Sequence, residues 1–511
     1  MDFDESSVKV ATQEFVAVVL AGFGTNLIPL TSNHGDEPCP KALLPIANRP
    51  MLDYPLSWLE GSRIRDVLLI CPAPQKAAIS HYLHSDSSAS SFPSLRIDLQ
   101  IYDETVESGQ GTCDVLRQIA NRIKQDFVVI PCDFVPPPSF NLTAVLDKFR
   151  TESTYDGSIA TACFFEAPKP DKNTVTEEWG MLPPPLPIVW DNKTGTLLHV
   201  DTPDDFDQHN EDLQLTMSLL TSYPRAMLST SFQDAHVYVC RRSVLDALQE
   251  KSDIESLREE FIPWLCEIQY STSKRAKYGA ILNPPSNATT QNLALQHSTL
   301  HTTLPKHPHH LAPPSTEDVR TAASSPLDPE PAEFHDVSFR VGIILHRATQ
   351  GFAARANTLQ TYLDVNRHCL TQTTYSLPTD SESRALIDTK AQISSDSMVG
   401  HTTKVGERTS IKKSVIGKHC IIGKMVKVVG CVVLDHCVIA DGAKLDGCIL
   451  GKNTKIGAKA ELSKCVTQAG YEVEGGESFK NEKLDVSDWT VPDDTSEEDD
   501  NAQSDVGDDS A

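Results

Sequence analysis

The residues with the clearest capacity for chemistry form a glycine-containing loop near the start of the chain. The run FVAVVLAG at residues 15–22 is apolar enough for a buried strand, and GFGTNL begins at its last glycine. A loop of this kind that feeds a helix can bring backbone N–H groups onto a phosphate. Gly22 and Gly24 are therefore candidates for a nucleotide site, although the loop alone is a weak signal.

A second feature, a repeat in the C-terminal part of the chain, sets the positions of other reactive side chains. Aliphatic residues recur six residues apart within triplets and seventeen residues apart between triplets. This period fits neither a helix nor simple strand alternation, but it fits a coil of three short sides around a triangular core. The triplets are Val399, Val405 and Ile411; Ile416, Ile422 and Val428; Val433, Ile439 and Leu445; and Leu450, Ile456 and Leu462.

The repeat predicts a parallel β-helix of hexapeptide repeats, and the open ends of such a stack usually need a cap or a neighbouring subunit. We therefore interpret it as an assembly platform. Its predicted core includes Ile416, Ile422, Val433, Ile439, Leu450 and Ile456. Small residues follow the aliphatic ones where a tight corner would accept them, at Gly400, Gly406, Gly417, Gly423, Ala440, Gly451 and Gly457.

The same spacing stacks His419 and His436 above Asn453, and it stacks two columns of cysteines. A histidine can act as the base in acyltransferases of this architecture, so acyl transfer is an alternative to polar stacking at a corner, which we favour. For the cysteines we favour packing of small polarisable side chains over metal binding. Their columns are Ser414, Cys431, Cys448 and Cys465, and Cys420, Cys437 and Thr454.

The order of segments around the glycine loop resembles that of the sugar-nucleotide pyrophosphorylases. The loop is followed by PCPKALLPIANRPMLDYPLSWLE, the strand DVLLICP, GQGTCDVLRQIANRI and the strand-plus-acid DFVVIPCD. The resemblance implies an α/β nucleotidyltransferase-like (Rossmann-like) domain followed by a left-handed parallel β-helix. It also implies contacts to nucleotide phosphates from the loop and the PKALLP lysine, and a metal-binding aspartate. The matching positions are Gly22, Gly24, Thr25, Lys41 and Asp133.

This sequence departs from the pyrophosphorylase pattern mainly at the positions that would carry a positive charge. The usual loop GGxGTRL is one residue shorter here, and Asn26 stands where the arginine would be. An amide cannot replace the bidentate positive charge of a guanidinium, and losing one such donor costs ~3 kcal/mol of barrier. The sugar-phosphate segment VDTP at residues 200–203 lacks its lysine, and DAHVY at residues 234–238 replaces an NAGIY-like strand opening.

We therefore predict that nucleotidyltransferase activity is lost, with no catalytic residue, metal or cofactor. What remains is a vestigial nucleotide-binding pocket that could bind a nucleotide without turning it over. Its predicted residues are Gly22, Gly24, Thr25, Asn26, Lys41 and Asp133.

A more specific resemblance is to the gamma subunits of eukaryotic translation initiation factor 2B, particularly their fungal form. It implies a regulatory, scaffolding subunit of an exchange complex that replaces GDP by GTP on initiation factor 2. The implied partners are the epsilon subunit, which catalyses exchange, the other regulatory subunits and initiation factor 2. The segments that carry the resemblance are GTNLIPLT, CPKALLPIANRPMLDYPLSWLE, DFVVIPCDFV, FQDAHVYVCRRSVLD, SLREEFIPWL and RANTLQTYLDVNR.

Charge and composition limit the class of partner. The net charge of −25 argues against direct nucleic-acid binding, which needs clustered Lys and Arg. From Asp485 onward there are eleven Asp or Glu and no Lys or Arg, so the rest of the chain carries −14. No apolar run approaches the ~18 residues of a membrane span, and the acidic start MDFDESSVKV does not resemble a targeting signal, so we expect the cytosol.

The composition also divides the chain into segments. We expect a nucleotidyltransferase-like domain at 1–283, a disordered insertion rich in Pro, Ser, Thr and His at 284–335, and a return segment of the first domain at 336–370. A connector at 371–395, a β-helix at 396–484 and an acidic disordered tail at 485–511 follow. Within the return segment, VSFRVGIILHR predicts a strand and ARANTLQTYLDVNRHCL an amphipathic helix. The histidines at 307–310 fit a solvated low-complexity segment better than a metal site.

Two alternatives to the scaffolding function remain open. One is an active sugar-1-phosphate nucleotidyltransferase of the mannose-1-phosphate guanylyltransferase type, which the glycine loop, Lys41 and Asp133 favour. The other is a noncatalytic regulator of a pyrophosphorylase, which has the same architecture and differs in the partner that co-purifies with it.

Overall fold

The computed structural model of the 511-residue chain describes residues 14–33, 35, 37–85, 92–102, 111–167, 186–202, 213–282, 339–372, 378 and 380–485. The predicted insertion at 284–335 lies outside the described residues, and so does the acidic tail after residue 485. Among the residues that are described, no helix is both long enough and apolar enough to cross a membrane.

Fourteen strands of the described residues belong to the N-terminal domain. They are Phe15–Leu20 (β1), Pro45–Ile46 (β2), Arg49–Pro50 (β3), Asp66–Pro72 (β4), Arg96–Tyr102 (β5), Asp126–Pro131 (β6), Phe134–Val135 (β7), Ser158–Glu166 (β8), Ile188–Asp191 (β9), Thr196–Val200 (β10), Ala226–Ser229 (β11), Phe232–Cys240 (β12), Arg340–His346 (β13) and Ala354–Arg355 (β14). Ten of them form one mixed sheet in the order β11-β9-β10-β13-β8-β12-β6-β1-β4-β5, and β14-β7 and β2-β3 form small ribbons.

Helices pack on both faces of the ten-stranded sheet. The helices of the first domain are Asp53–Gly61 (α1), Lys76–Leu83 (α2), Thr112–Ile119 (α3), Leu142–Tyr155 (α4), Met217–Ser222 (α5), Ser243–Glu250 (α6), Ile262–Tyr270 (α7) and Thr272–Leu282 (α8). Two further helices, Leu359–Gln372 (α9) and Ser381–Ala385 (α10), follow between the sheet and the β-helix in the chain. Side chains of β1 alternate between the two cores, because successive residues of a strand point to opposite faces. Val16 and Val18 pack with α3, α6 and α7, whereas Ala17 and Val19 pack with α1 and α4.

Strand β13 comes from the return segment and completes the sheet. It lies between β10 and β8 and runs parallel to β8, so the strand predicted from VSFRVGIILHR is confirmed. Arg340 on β13 is 1% exposed and donates hydrogen bonds to Asp156 Oδ2 (2.5 Å) and Glu152 Oε1 (3.0 Å). These buried ion pairs hold the return segment against α4 and the turn that follows it.

The helix predicted from Ala354 was wrong at its start, because α9 begins at Leu359. Ala354 and Arg355 instead pair antiparallel with Val135 and Phe134. The helix then begins after Thr358, whose hydroxyl accepts a hydrogen bond from the backbone N–H of Thr361 at 3.2 Å. The strand pairing overrides the helical periodicity of these residues. It places Arg355 beside the end of β6, where Arg355 contacts Asp133.

The C-terminal domain is the predicted parallel β-helix. Its strands are Gln392–Ile393 (β15), Met398–Val399 (β16), Lys404–Val405 (β17), Ser410–Lys412 (β18), Val415–Ile416 (β19), Ile421–Ile422 (β20), Lys427–Val429 (β21), Val432–Val433 (β22), Val438–Ile439 (β23), Lys444–Asp446 (β24), Ile449–Leu450 (β25), Lys455–Ile456 (β26), Glu461–Ser463 (β27), Val466–Thr467 (β28), Glu472–Val473 (β29), Ser478–Lys480 (β30) and Lys483–Leu484 (β31). All pair in parallel, each with the strand one coil away.

The coil has three faces, which we name by their strands. The first face contains β16, β19, β22, β25, β28 and β31, the second β17, β20, β23, β26 and β29, and the third β15, β18, β21, β24, β27 and β30. The six predicted core residues of the platform, Ile416, Ile422, Val433, Ile439, Leu450 and Ile456, are at most 2% exposed. The stack continues beyond the predicted triplets, since Val473 and Leu484 join the same core.

The glycines that follow several of the aliphatic positions have a reason other than a turn conformation. A Cβ on Gly400 would lie 2.5 Å from Gly417 O, and one on Gly417 would lie 2.6 Å from Asp435 Oδ1. Backbones of successive coils approach too closely here for a side chain. The left-handed corner residues come two positions later, as at His419 with φ 56°.

Helix α9 joins the two domains by covering the first face. Tyr362 of α9 is fully buried, and its hydroxyl donates to Pro45 O of β2 at 2.5 Å. Asn48 in the turn after β2 donates to Ile416 O of β19 at 2.8 Å. One apolar core therefore spans both domains, with Leu359, Tyr362 and Leu363 of α9 packed with Val415, Val432, Ile449 and Val466.

Candidate functional site: a cavity closed by an internal ion cluster

A cavity of about 360 Å³ lies at the carboxyl ends of β1 and β6. Parallel strands of an open α/β sheet usually present ligand sites at this edge. The loop after β1 and the residues after β6 form its floor, and the segment before α7 forms one wall. All six residues of the predicted vestigial pocket line this single cavity: Gly22, Gly24, Thr25, Asn26, Lys41 and Asp133.

The two glycines of the loop, Gly22 and Gly24, differ in whether the structure requires glycine at their positions. Gly24 has φ +79°, and a Cβ there would lie 2.9 Å from Lys41 Cβ, so both its conformation and its space require glycine. A Cβ on Gly22 would meet nothing within 4 Å. Thr25 and Asn26 are exposed in a single 3₁₀ turn, Thr25–Leu27, at the mouth of the cavity.

Asp133, the position implied to bind a metal ion, is instead enclosed by two cations. Arg355 donates from Nε to Oδ1 and from a terminal nitrogen to Oδ2, both at 2.9 Å. Lys41 Nζ lies 2.5 Å from Asp133 Oδ2 and donates a second hydrogen bond to Asn357 Oδ1 at 2.5 Å. The carboxylate is 1% exposed and both of its oxygens accept charge-assisted hydrogen bonds.

The two cations decide the ionisation of this group. Burial alone would raise the pKa of the Asp133 carboxyl, but Arg355 and Lys41 outweigh burial and hold the pKa well below its usual range. Asp133 is therefore an anion whose charge is already balanced within the protein. A divalent cation placed here would face Lys41 and Arg355 at close range, so these residues do not fit a metal ion.

Arg355 is the residue that sequence reasoning missed. It lies 222 residues from Asp133 along the chain, beyond the insertion, and β14 brings it there by pairing with β7. The backbone N–H of Ala356 also donates to Asp133 O at 2.9 Å. In the sequence, Arg355 stands at the start of RANTLQTYLDVNR, a segment that resembles a known family but shows no charge partner by its spacing.

The opposite wall comes from the DAHVY segment of β12. A β-bulge between Asp234 and Val237 turns His236 toward the cavity with φ 53°, at the position of the glycine in an NAGIY-like opening. Burial, Arg355 and Arg258 lower the pKa of His236, which keeps its ring neutral. The imidazole occupies space that a glycine would leave to a ligand.

The histidine and cysteine columns of the β-helix consist of side chains stacked on one another in successive coils. The rings of His419 and His436 are 4.9 Å apart and 7° from parallel, and both are exposed. Thr402, one coil earlier, bonds His419 Nδ1 at 2.5 Å. In the cysteine column, the backbone N–H of Cys448 donates to Cys431 Sγ at 3.3 Å. Within the described residues, no group of three or more metal-binding side chains occurs.

Two segments of the chain match models of known families. The nucleotidyl transferase model matches residues 16–173, and the EIF2B subunit epsilon LbH domain model matches residues 380–478. Together with the sheet, the cavity and the coil, these matches define the class: a nucleotidyltransferase-fold domain followed by a left-handed β-helix.

Relatives over most of the chain identify the family within this class. Translation initiation factor eIF2B subunit gamma of Schizosaccharomyces pombe is 32% identical, covering 78% of this chain and 74% of that protein. Proteins of the same name from Caenorhabditis elegans and Dictyostelium discoideum are 27% and 24% identical over 54% and 74% of this chain, and over 63% and 82% of their own. The chain belongs to the family of eIF2B gamma subunits.

Proposed function

We propose that this chain is a noncatalytic regulatory and scaffolding subunit of the translation initiation factor 2B complex. In this role it supports GDP/GTP exchange on initiation factor 2, which the epsilon subunit catalyses. Its partners are the epsilon subunit first, then the other regulatory subunits and initiation factor 2, and its compartment is the cytosol. Family membership supports the complex, and the state of the cavity supports the absence of catalysis.

The observation that carries the noncatalytic part is the ion cluster at Asp133. Nucleotidyl transfer needs positive charge that is free to neutralise a triphosphate, usually with a metal ion held by carboxylates. Here Arg355 and Lys41 are both committed to Asp133. Exposed Asn26 supplies no charge at the mouth, and His236 fills part of the cavity.

The β-helix supports the scaffolding part, because its three faces have different environments. α9 covers the first face, whereas the second face carries apolar side chains that are exposed among the described residues. Ile421 on β20 is 50% exposed, Val438 on β23 is 36% exposed, and Met425 at the adjoining corner is 61% exposed. Contiguous exposed apolar residues often mark a protein interface. We assign this patch to the contact with the epsilon subunit.

Isolation of the tagged chain from its own cells tests the scaffolding role. Mass spectrometry should identify the epsilon subunit and the other exchange-factor subunits among the stably bound proteins. An Ile421→Asp, Val438→Asp double variant should fold normally, since both side chains face solvent, and should lose the epsilon subunit. Recovery of a pyrophosphorylase in place of exchange-factor subunits would overturn the proposal.

A second experiment tests the loss of catalysis. The purified chain is incubated with a nucleoside triphosphate, Mg²⁺ and a sugar 1-phosphate, and pyrophosphate release is measured. We expect no release above that of an Asp133→Ala variant. Release that this substitution abolishes would instead establish an active sugar-1-phosphate nucleotidyltransferase.

A further inference from the structure

The third face of the β-helix and its two corners carry a group of cations that pair with no described residue. Five residues, which we call the basic surface, are exposed and form no ion pair with any described residue: Arg408, Lys412, Lys413, Lys424 and Lys427. Farther along the stack two lysines are paired, since Lys444 contacts Glu461 at 2.6 Å and Lys455 contacts Glu472 at 2.5 Å. The five residues of the basic surface all lie in the first coils.

Strand register brings these side chains together. Lys427 on β21 lies beside Ser410 on β18, and Lys412 is two residues farther along β18. Lys413 follows at the next corner, while Arg408 and Lys424 occupy the corner before the strands in neighbouring coils. Coils about 4.8 Å apart place all five within one continuous patch.

Charge also changes steadily along the stack. Residues 400–433 contain seven Lys or Arg and one Asp or Glu, and residues 434–467 contain five and four. Residues 468–485 contain two Lys or Arg and five Asp or Glu. The β-helix thus has a basic end and an acidic end, and the chain leaves from the acidic end after Leu484.

We propose that the acidic C-terminal segment, residues 486–511, docks on the basic surface of the same chain. The segment contains ten Asp or Glu and no Lys or Arg, with six of them between Asp493 and Asp500. It is complementary in charge to the basic surface. The acidic coils from which it departs repel it toward the basic end.

The distance suits the length of the segment. Three to four coil spacings, about 14 to 19 Å, separate the coil of Leu484 from those of Lys427 and Lys412. The residues between Leu484 and Asp493 can extend about 30 Å. A tether this short gives a millimolar effective concentration, so individually weak ion pairs suffice for docking.

The covalent link to the β-helix also favours the C-terminal segment over a separate anion as the occupant of the basic surface. A separate polyanion such as RNA must approach a chain whose net charge is −15 even without the ten acids of the C-terminal segment, and this charge repels it at low ionic strength. The C-terminal segment faces no such barrier, because it is already attached. Docked there, the segment competes with other anions for the basic surface.

Carbodiimide crosslinking, which joins a lysine amine directly to a carboxylate, tests the proposal on the full chain purified with its subunits. We expect crosslinks from Lys412, Lys413, Lys424 and Lys427 to residues 493–500, and their loss in 0.5 M NaCl as ion pairs are screened. A mixture of ¹⁵N-labelled and unlabelled chains should show them within one chain. The Lys455 to Glu472 crosslink is the matched control, because that pair exists without the C-terminal segment.

A binding experiment supplies the second readout. In a variant whose six acids at 493–500 become Asn or Gln, a 20-nucleotide single-stranded RNA should bind at least tenfold more tightly than it binds the unaltered chain. Further substitution of Lys412, Lys413, Lys424 and Lys427 by Gln should remove that gain. Equal RNA affinity with and without the acids would overturn the proposal, as would crosslinks that join the basic surface only to another subunit.

Discussion

The nucleotidyltransferase-like domain and the β-helix depend on their sequences in different ways. In the first domain, the cavity depends on single side chains, and Arg355 and Lys41 together set the ionisation of Asp133. In the β-helix, each core position repeats every seventeen residues, and no single residue defines the fold. The comparison teaches that the architecture of one domain can depend on a repeated pattern while the properties of a cavity in the other depend on a few side chains. Four substitutions, taken from the largest expected effect to the smallest, examine this difference.

The first prediction concerns the core of the β-helix. Ile422→Asp should destabilise this domain by about 4 to 5 kcal/mol, because Ile422 is 1% exposed and the new carboxylate would be buried without a partner. Chemical denaturation measures the loss. The neighbouring residue provides the control, since Ile421 faces outward and Ile421→Asp should leave the unfolding midpoint within experimental error. Equal destabilisation by the two changes would contradict the assigned register.

The second prediction concerns the buried ion pairs of the first domain. Arg340→Met should cost about 3 to 4 kcal/mol, because it removes the buried guanidinium that pairs with the carboxylates of Glu152 and Asp156. Urea unfolding followed by tryptophan fluorescence measures it. Arg122→Met is the control: its pair with Asp98 is more than half exposed on both sides and is worth about 0.5 kcal/mol.

The third prediction concerns the cavity and carries a pH dependence. Arg355→Gln should cost about 2 to 3 kcal/mol at pH 7 by removing the bidentate partner of Asp133. Because Arg355 and Lys41 lower the folded-state pKa of Asp133, the stabilisation is present above the unfolded pKa of about 3.9 and is lost as pH falls through the folded pKa. Urea unfolding should therefore show the gap between the two proteins narrowing below pH 4. A gap independent of pH would place the contribution of Arg355 elsewhere.

The fourth prediction separates the two glycines of the loop. Gly24→Ala should destabilise the first domain by about 1 to 2 kcal/mol, because its φ is +79° and the new Cβ would press against Lys41. Gly22→Ala should change stability by less than about 0.5 kcal/mol, since nothing lies within 4 Å of its added Cβ. Thermal unfolding of both variants measures the difference, and the reverse order would contradict the loop conformation.

Sequence patterning predicted the β-helix almost completely, because a strict period reports the same local environment many times. Ile416, Val433 and Leu450 fall in one column of the sequence and in one face of the structure. The sequence did not reveal why glycines follow several of the aliphatic core residues. Gly400 and Gly417 are required by the close approach of neighbouring coils, which a one-dimensional pattern does not contain.

The cavity was predictable in its local parts but not in its long-range contacts. Gly22, Gly24, Lys41 and Asp133 lie in segments that resemble a known family, and they line one cavity. Arg355 reaches Asp133 through a strand pair between distant parts of the chain, and helical periodicity concealed that strand. The cover of the first face by α9 escaped prediction for the same reason, since contacts between domains leave no spacing in the sequence.

The return segment also has a consequence for the order in which the protein is made. Until residues 340–355 are synthesised, β10 and β8 have no strand between them, and Asp133 has no Arg355. The next residues form α9, the cover on which the first face of the β-helix rests. Synthesis from the N-terminus therefore supplies the strand that completes the sheet, then the arginine that closes the cavity, and then the helix on which the β-helix packs. All three are made before the first coil of the β-helix.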